Sequence, residues 1–364
     1  MRAAQGNWLQ VGLRPNPNIA YSGEEIGDDG AAGQQGGFLS QEFVTAGKLG
    51  LNRAVASRGV GAAEQRQQIA RLQVLTTVRM QYFEMLAAGR SVTLARQLTE
   101  IARESVRVSE QRLKALEIPR SALLQSQIES ESTALLEQQA TERYGAAWRR
   151  LSAAIGVTDA QPVALDDAFA RPLPELEWES TRDRVLAQSP ELAALRFEVE
   201  RARAQVRRAS VERIPNVTVQ AGAQHDNATG NEIANVQVSM PLPIFDRNQG
   251  GVIQACGQLT AAQASLRDRE IALEQRLANA VRDYAVARQR VLRYAEKVLP
   301  VARESLDVMT AGYQQGELDY LQLLTIQQTY AEKNLAYLTD LTTAWQRWAE
   351  IEGLMVGPVL GTLQ

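Results

Sequence analysis

The chain has 364 residues, 45% of them hydrophobic and only 5% aromatic, and its formal net charge is −3. This composition favours extended helices over a thick globular core, and the mixing of basic with acidic residues excludes the basic surface typical of nucleic-acid-binding proteins. The single cysteine, Cys256, excludes an internal disulfide. The sequence contains no run of about 18 apolar residues of the kind that predicts a membrane-spanning helix.

Two short β-type segments come first, at residues 18–22 and 38–44, around a glycine-rich loop at 27–37. A clearer pair lies in the second half, where apolar and polar residues alternate over 217–221 and 234–242 around a polar loop at 224–230. Such alternation places the apolar residues on one face of a sheet. Strands of about nine residues have the length of tilted membrane strands, although a soluble hairpin sheet would alternate in the same way.

Long helices follow each strand pair. No proline occurs between Pro17 and Pro119, which predicts a helix over about 48–115, on the order of 100 Å long. In the second half, Pro300 is expected to bend the corresponding helix while an apolar seam continues through it. The seam consists of apolar residues seven positions apart, in two rows: Leu259, Leu266, Leu273, Ala280, Ala287, Tyr294, Val301 and Val308, then Leu277, Tyr284, Val291 and Val298.

Each long helix ends in a short break that predicts the tip of a helical hairpin. The breaks lie at 115–119 and 313–317. Gly316 is expected to take the left-handed conformation that closes a helix, and Pro119 favours the first turn of the next. Returning helices are predicted over about 120–156 and 318–354.

The two halves of the chain resemble each other. When the sequence is shifted by 200 residues, 11 of the 48 positions from 101 to 148 are identical, whereas unrelated sequences would give roughly three or four, which indicates a duplication. Pro17-Asn18 also recurs as Pro215-Asn216, and LSQEFVTAGK from Leu39 recurs as VSMPLPIFDR from Val238. We predict a first structural repeat at 1–156, a proline-containing linker at 157–180 and a second repeat at 181–364.

Motifs along nearly the whole chain carry a family resemblance. They are Asn16-Pro17-Asn18, LSQEFVTAGK, Ser189-Pro190-Glu191-Leu192, PLPIFDRNQGG from Pro241, Leu299-Pro300 and YQQGELDYLQLL from Tyr313. In this order and spacing they resemble the TolC-like outer-membrane efflux factor family. The segment PLPIFDRNQGG is most similar to the cation-efflux subgroup of that family.

The resemblance implies an α+β fold, mainly α, in which two repeats of very long helices form a trimeric α-barrel tunnel. This tunnel is joined to a shared twelve-stranded transmembrane β-barrel, with four strands from each chain. It implies a passive outer-membrane exit duct of a tripartite efflux system, conducting small solutes or metal cations. The expected partners are two further copies of the chain, a periplasmic adaptor (membrane fusion) protein, an inner-membrane pump of the resistance-nodulation-division type and outer-membrane lipid, with no nucleic acid. A soluble coiled-coil scaffold or adaptor protein is the alternative.

The expected location is the outer membrane with a periplasmic extension. Residues before Pro17 lack the apolar core of an export signal. Residues 1–14 resemble the tail of a helix whose second-half counterpart is predicted at about 181–213, opened by Ser180 or Thr181 with Asp183. A complete family member would carry the rest of that helix and an export signal upstream.

The sequence gives little support for catalysis, a cofactor or a resident metal. Its only histidine, His225, is predicted in an outer loop, which excludes a histidine-based triad or a multi-histidine metal site within one chain. Gly47-Lys48 is followed by Leu49 rather than by the serine or threonine of a phosphate-binding loop. We therefore predict that the protein is not an enzyme.

The resemblance also implies functional positions near the tips. Candidate adaptor-docking residues are Leu116, Glu117, Arg120, Gln315, Gly316, Glu317 and Asp319. Gln322 and Thr325 align with a tunnel constriction where some relatives carry acidic residues. Amide and hydroxyl groups form hydrogen bonds without a charge, so strong cation binding there is not expected, and Asp319 could substitute.

Overall fold

A computed structural model describes residues 1–25, 33–157, 161, 163 and 165–356. Eight α-helices are found in these residues: α1 (Arg2–Gln10), α2 (Lys48–Lys114), α3 (Arg120–Ile155), α4 (Trp178–Gln188), α5 (Pro190–Ser210), α6 (Gln249–Arg293), α7 (Leu299–Gln315) and α8 (Tyr320–Gly353). The same residues contain four strands: β1 (Asn18–Glu24), β2 (Gln34–Phe43), β3 (Val217–Asp226) and β4 (Asn231–Ser239). The fold is therefore mainly helical with one small sheet, as the sequence predicts.

The chain divides into two compact units, each with segments from both halves of the sequence. The first, called here the sheet unit, comprises Met1–Ile69 and Pro190–Ala272. The second, called here the hairpin unit, comprises Ala70–Ser189 and Leu273–Gln364. The sequence repeats at 1–156 and 181–364 describe duplication rather than compactness, and their boundaries stay a prediction.

The sheet is antiparallel with the strand order β1-β2-β3-β4. Both predicted strand pairs form hairpins, and β2 pairs with β3 along its whole length, from Gln34 opposite Asp226 to Phe43 opposite Val217. Strands β1, β2 and β3 are longer than predicted. Strand β4 begins earlier than predicted but ends at Ser239, so the prediction of a strand over 240–242 is wrong, since Pro241 has no N–H to donate to a neighbouring strand. The predicted loop at 27–37 lies outside the described residues up to position 32, while residues 34–37 belong to β2.

The predicted position of His225 in a loop is wrong. His225 lies in β3 opposite Glu232 of β4, and its Nδ1 is 3.0 Å from Glu232 Oε1. The turn is tighter than expected because Asp226 accepts the N–H of Ala228, and Gly230 adopts a positive φ of 68° that closes the hairpin.

The long helices and returning helices are confirmed. Helix α2 runs for 67 residues, and α3 and α8 run for 36 and 34 residues. The predicted single helix over 181–213 is wrong, because α4 ends at Gln188 and α5 begins at Pro190. Proline has no N–H and pushes the preceding residue away from helical geometry, and Ser189 has an extended ψ of 121°. Nor do Ser180 or Thr181 open α4, which starts at Trp178.

A π-helical turn at Tyr294–Val298 separates α6 from α7. There the N–H of Leu299 donates to the carbonyl of Tyr294, five residues back, immediately before Pro300. A π turn holds one more residue than an α-helical turn, so the face that follows rotates by one position.

This insertion corrects the prediction that the seam continues through Pro300. Before the turn, the seam is buried from Leu273 to Val291. After it, Val301 and Val308 are exposed, whereas Ala302 and Met309, one position later, are partly buried.

Aromatic side chains form the core of the hairpin unit away from the tips. Phe83 of α2 stacks on Trp345 of α8, with ring centroids 5.3 Å apart, and on Phe169 at 6.1 Å. Tyr284 is buried and donates its hydroxyl hydrogen to the carbonyl of Pro174, which fixes the linker segment against α6.

Candidate functional site

The sheet has one apolar and one polar face. Ile19 lies opposite Leu39, Leu39 opposite Ala221, and Ala221 opposite Val236, so one row of apolar side chains crosses all four strands. Most of this row faces outward, and Ile19 is 86% exposed. The next row, on the other face, consists of Asn18, Ser40, Gln220 and Gln237. An exposed apolar face of this kind marks a surface for lipid or for another protein.

Within the described residues, the sheet is open at both edges. There, strand β1 pairs only with β2, and β4 pairs only with β3. The outer edges of β1 and β4 therefore present backbone N–H and C=O groups that need partners.

The two hairpin tips have the same backbone construction. Leu116 and Gly316, which are 200 residues apart, have φ values of 61° and 82°. The next residue closes each tip: the N–H of Glu117 donates to Arg112 O, and the N–H of Glu317 donates to Gly312 O, both at 2.9 Å. This is the left-handed helix ending described for Schellman motifs. The conformation predicted for Gly316 is present, and Leu116 adopts it without the freedom of glycine.

The second tip also has a capping box. The Asp319 side chain accepts a hydrogen bond from the backbone N–H of Gln322, and Gln322 Oε1 accepts the Asp319 N–H at 3.2 Å. The first tip instead begins α3 after Pro119, with no side-chain cap. Gln322 and Thr325 are both exposed near the start of α8. The Gln322 amide therefore has a structural role besides any role at a constriction.

Three residues that sequence reasoning missed tie the two tips together. The Ser109 hydroxyl of α2 lies 2.6 Å from the Tyr313 hydroxyl of α7. The Arg112 guanidinium lies 5.3 Å above the Tyr313 ring, 3.5 Å from Leu318 O and 3.3 Å from Glu117 Oε2. Arg112 thus brings Glu117, a predicted residue of the first tip, close to the second tip.

A small apolar cluster supports the tips from below. Its buried members are Val108, Leu306, Tyr313, Tyr320 and Leu323. The Tyr313 and Tyr320 rings meet edge to face, with centroids 5.7 Å apart. Unlike the Tyr313 hydroxyl, the buried Tyr320 hydroxyl has no hydrogen-bond partner within the described residues.

Burial changes the protonation of two groups in this region. The pKa of Tyr320 is raised chiefly by burial and further by the negative charge of Glu129. Burial likewise raises the pKa of Glu129 on α3. The tip region therefore disfavours negative charge in its interior.

The residues that the structure describes contain no group of three or more histidine, cysteine, aspartate or glutamate side chains placed to hold a metal ion. None of the helices in the described part of the chain is both long and apolar enough to cross a membrane.

Comparison with protein families identifies the fold. The model of the outer membrane efflux protein family matches residues 20–157 and 181–355, which is most of the chain. The chain belongs to this family. Family members are passive channels, which confirms the predicted family, the channel function and the prediction that the protein is not an enzyme.

Sequence relatives are named for metal resistance. The cobalt-zinc-cadmium resistance protein CzcC of Cupriavidus metallidurans is 29% identical over 310 residues, covering 82% of this chain and 73% of CzcC. The nickel-cobalt-cadmium resistance protein NccC of Alcaligenes xylosoxydans xylosoxydans is 26% identical over 295 residues. That alignment covers 79% of this chain and 64% of NccC, so this chain spans less than two thirds of the length of NccC.

Solved structures share the fold at lower sequence identity. CusC, whose structures are described in terms of transmembrane channel formation, superposes with a TM-score of 0.80 at 17% identity, covering 98% of this chain and 87% of CusC. The outer membrane protein VceC of Vibrio cholerae superposes with a TM-score of 0.77 at 18% identity, covering 99% of this chain and 91% of VceC. The predicted fold class, two repeats of long helices with a four-stranded sheet from each chain, is confirmed.

Proposed function

We propose that this chain is the outer-membrane exit duct of a tripartite efflux system that expels divalent metal cations. The observation that carries the choice of cargo is the match to relatives named for resistance to cobalt, zinc, cadmium and nickel over about four fifths of the chain. The duct is passive, because a separate inner-membrane pump of the resistance-nodulation-division type supplies the energy. A periplasmic adaptor protein links that pump to the duct.

The proposed assembly is a homotrimer. Four strands with open edges leave backbone groups unpaired, and a sheet lying in lipid must have its backbone groups satisfied. Three copies joined edge to edge give a closed sheet of twelve strands. In that arrangement the apolar face containing Ile19 and Val236 meets lipid, and the polar face containing Gln220 lines the water-filled interior.

The hairpin tips are the proposed adaptor-docking surface. Leu116 supports this role because it is 90% exposed and holds a left-handed conformation that disfavours any residue with a Cβ. Neither local packing nor backbone preference explains a leucine there, whereas contact with an apolar partner does. The other docking residues are Glu117, Arg120, Gln315, Gly316, Glu317 and Asp319, all exposed.

Gln322 and Thr325 are the proposed narrowest ring of the tunnel. Three amides and three hydroxyl groups would line it in a trimer, and such neutral groups let cations pass without holding them. Asp319, one turn earlier, accepts a backbone hydrogen bond in the capping box. Its carboxylate is therefore directed to the helix end.

Deletion of the gene in its native host tests the cargo. We expect cells without the duct to accumulate cobalt, zinc or cadmium and to lose resistance to these metals, while resistance to organic dyes stays unchanged. Complementation with the full-length gene should restore metal export. Sensitivity to organic compounds alone would show that the family function is right and the metal assignment wrong.

Substitution of Leu116 tests the docking surface. Leu116→Asn keeps a residue that tolerates the left-handed conformation while removing the apolar contact. We expect normal trimer abundance but loss of cross-linking to the adaptor. Ala115→Asn, at the exposed neighbouring position, is the matched control. Equal cross-linking in both variants would remove Leu116 from the docking surface.

Gln322→Glu tests the constriction. Glutamate can also form the capping box, and a negative charge in the first turn of a helix is favourable, so α8 should stay intact. A trimer would gain three carboxylates, and we expect divalent cations to block single-channel conductance more strongly. If block is the same as in the native channel, Gln322 lies away from the narrowest ring.

A further inference from the structure

The two repeats meet inside the sheet unit at a joint where β2 and α2 contact the start of β3. Lys48 Nζ donates to Asn216 Oδ1 at 3.0 Å, and Lys48 is only 3% exposed. The backbone N–H of Thr45 also donates to Asn216 Oδ1, at 3.3 Å, and the Thr45 hydroxyl donates to Pro215 O at 2.6 Å. This internal joint fixes how the second hairpin continues the sheet of the first.

The duplication places the same residue types at the open edges of the sheet. LSQEFVTAGK matches VSMPLPIFDR, so Lys48 corresponds to Arg247, and Pro215-Asn216 corresponds to Pro17-Asn18. Arg247 and Asn18 are exposed, whereas Lys48 is buried and Asn216 partly buried. Within the described residues, neither edge residue contacts the equivalent of its counterpart's partner, and the Arg247 Nε instead donates to Pro243 O at 3.3 Å.

The internal joint also predicts a register for pairing between the open edges of β4 and β1. Phe43 of β2 lies opposite Val217 of β3. In the duplication Phe43 corresponds to Leu242 and Val217 corresponds to Ile19, so Leu242 is expected opposite Ile19. Continuing antiparallel, Tyr21 falls opposite Met240, which directly follows β4, and Ser22 falls opposite Ser239, the last residue of β4. This register places apolar residues opposite apolar ones, and a shift by one residue would mix the two faces.

From this correspondence we infer that a second copy of the chain pairs its β1 with β4 in this register and that Arg247 of one chain donates to the Asn18 side-chain oxygen of the next. The inference deepens the proposed trimer and rests on it. The charges around the proposed contact differ from those around the internal joint. Arg14 stands where the internal joint has Glu212, and Asp246 stands where it has Gly47. Asp246 then supplies the carboxylate that balances Arg14 and Arg247.

Paired cysteines test the register. In the full chain carrying an export signal and Cys256→Ser, we expect either Ser22→Cys with Ser239→Cys or Tyr21→Cys with Met240→Cys to cross-link into a covalent trimer. Two adjacent pairs are needed because opposite residues alternate between hydrogen-bonded and closer non-hydrogen-bonded positions. The control pair, Ser22→Cys with Gln237→Cys, is on the same face but two residues out of register and should stay uncoupled.

The outcomes separate the inference from the proposed function. A monomer by native mass measurement in detergent would overturn both the trimer and the inference. A trimer that cross-links through the control pair, or through neither expected pair, would overturn the register alone.

A double-mutant cycle tests the contact between Arg247 and Asn18. Arg247→Ala and Asn18→Ala should each speed subunit exchange between labelled trimers on the order of tenfold, since a hydrogen bond to a charged group is lost. The double variant should be no faster than the faster single variant. Arg207→Ala, which removes the same charge from an exposed position of α5, should leave exchange unchanged. Additive effects of the two substitutions, or an equal effect of Arg207→Ala, would exclude the contact.

Discussion

At the scale of single residues, the two tips show that leucine and glycine can adopt the same backbone conformation. Leu116 and Gly316 occupy the same position in the duplication and share the left-handed conformation. A Cβ at Gly316 would make an ordinary van der Waals contact with the Arg112 guanidinium, 3.8 Å away, so the backbone conformation rather than a clash opposes a side chain there. The first tip keeps its leucine despite this backbone cost.

Exchange of the two residue types should therefore change stability in opposite directions. We expect Leu116→Gly to stabilise the hairpin unit and Gly316→Ala to destabilise it, each by about 1 kcal/mol, because a left-handed residue with a Cβ is disfavoured. Thermal unfolding of the detergent-solubilised protein followed by circular dichroism would measure both. Destabilisation by Leu116→Gly would show that the leucine contributes packing that the strain argument omits.

The two tyrosines beneath the tips differ in their hydroxyl groups. We expect Tyr313→Phe to destabilise the protein by about 1 kcal/mol, because it removes the hydrogen bond with Ser109. Tyr320→Phe should be neutral or stabilising, because it removes a buried hydroxyl without a partner. Chemical unfolding of both variants would compare them, and equal losses would contradict the assignment.

Tyr320 also predicts a pH dependence. The pKa of Tyr320 in the folded state lies above the unfolded value of about 10. The contribution of the neutral Tyr320 side chain to folding stability is therefore fully present below pH 10. That stability is lost as pH rises from 10 towards the raised pKa. We expect Tyr320→Phe to lose less stability than the native protein between pH 9 and 11, both measured by thermal unfolding.

At the scale of elements, the π-helical turn at Tyr294–Val298 sets the phase of the following helix. It rotates the buried face from Val301 and Val308 to their next neighbours, which brings Met309 against the apolar cluster below the tips. Pro300 needs this local adjustment because it cannot donate a backbone hydrogen bond.

Removal of the extra residue tests this account. We expect deletion of the exposed Lys297 in a Pro300→Ala background to keep the thermal stability of Pro300→Ala alone, because the helix can then continue regularly with both buried faces in place. Deletion of the exposed Ala285 within α6 should destabilise the protein strongly, since it rotates all later residues by about 100°. Equal melting temperatures for the two deletions would contradict a role of the π turn in phase.

At the scale of the whole molecule, the alternation of the sheet decides which surface would meet lipid in the proposed trimer. Leu39 lies on the apolar face and Ser40 on the polar face of β2. In the proposed trimer the sheet lies in the outer membrane, so adjacent positions should respond differently to the same charged residue.

We expect Leu39→Arg to reduce the amount of folded protein in the outer membrane, since arginine on a lipid-facing position costs about 2–4 kcal/mol at the bilayer midplane. Ser40→Arg should fold normally and change the conductance of the channel. Fractionation and single-channel recording measure the two effects. Reversal of this pattern would exchange the assignment of the faces.

The sequence alone determined the features that depend on local rules. Proline spacing fixed the length of α2, heptad spacing identified the seam from Leu273 to Val291, and glycine preference identified the left-handed Gly316. Comparison of the two halves also aligned Lys48 with Arg247, although the contact of Lys48 with Asn216 came from the structure. These features depend on residues close in sequence, or on the sequence compared with itself.

Only the tertiary structure decided the features that depend on residues far apart in the chain. The pairing of β2 with β3, the bond between Ser109 and Tyr313, and the exposure of Leu116 all require distant segments to be placed together. The break at Pro190 and the phase shift before Pro300 were also missed, since a proline can end a helix or be absorbed within one. Packing against neighbouring helices decides between these outcomes, and that packing cannot be predicted from any single segment of the sequence.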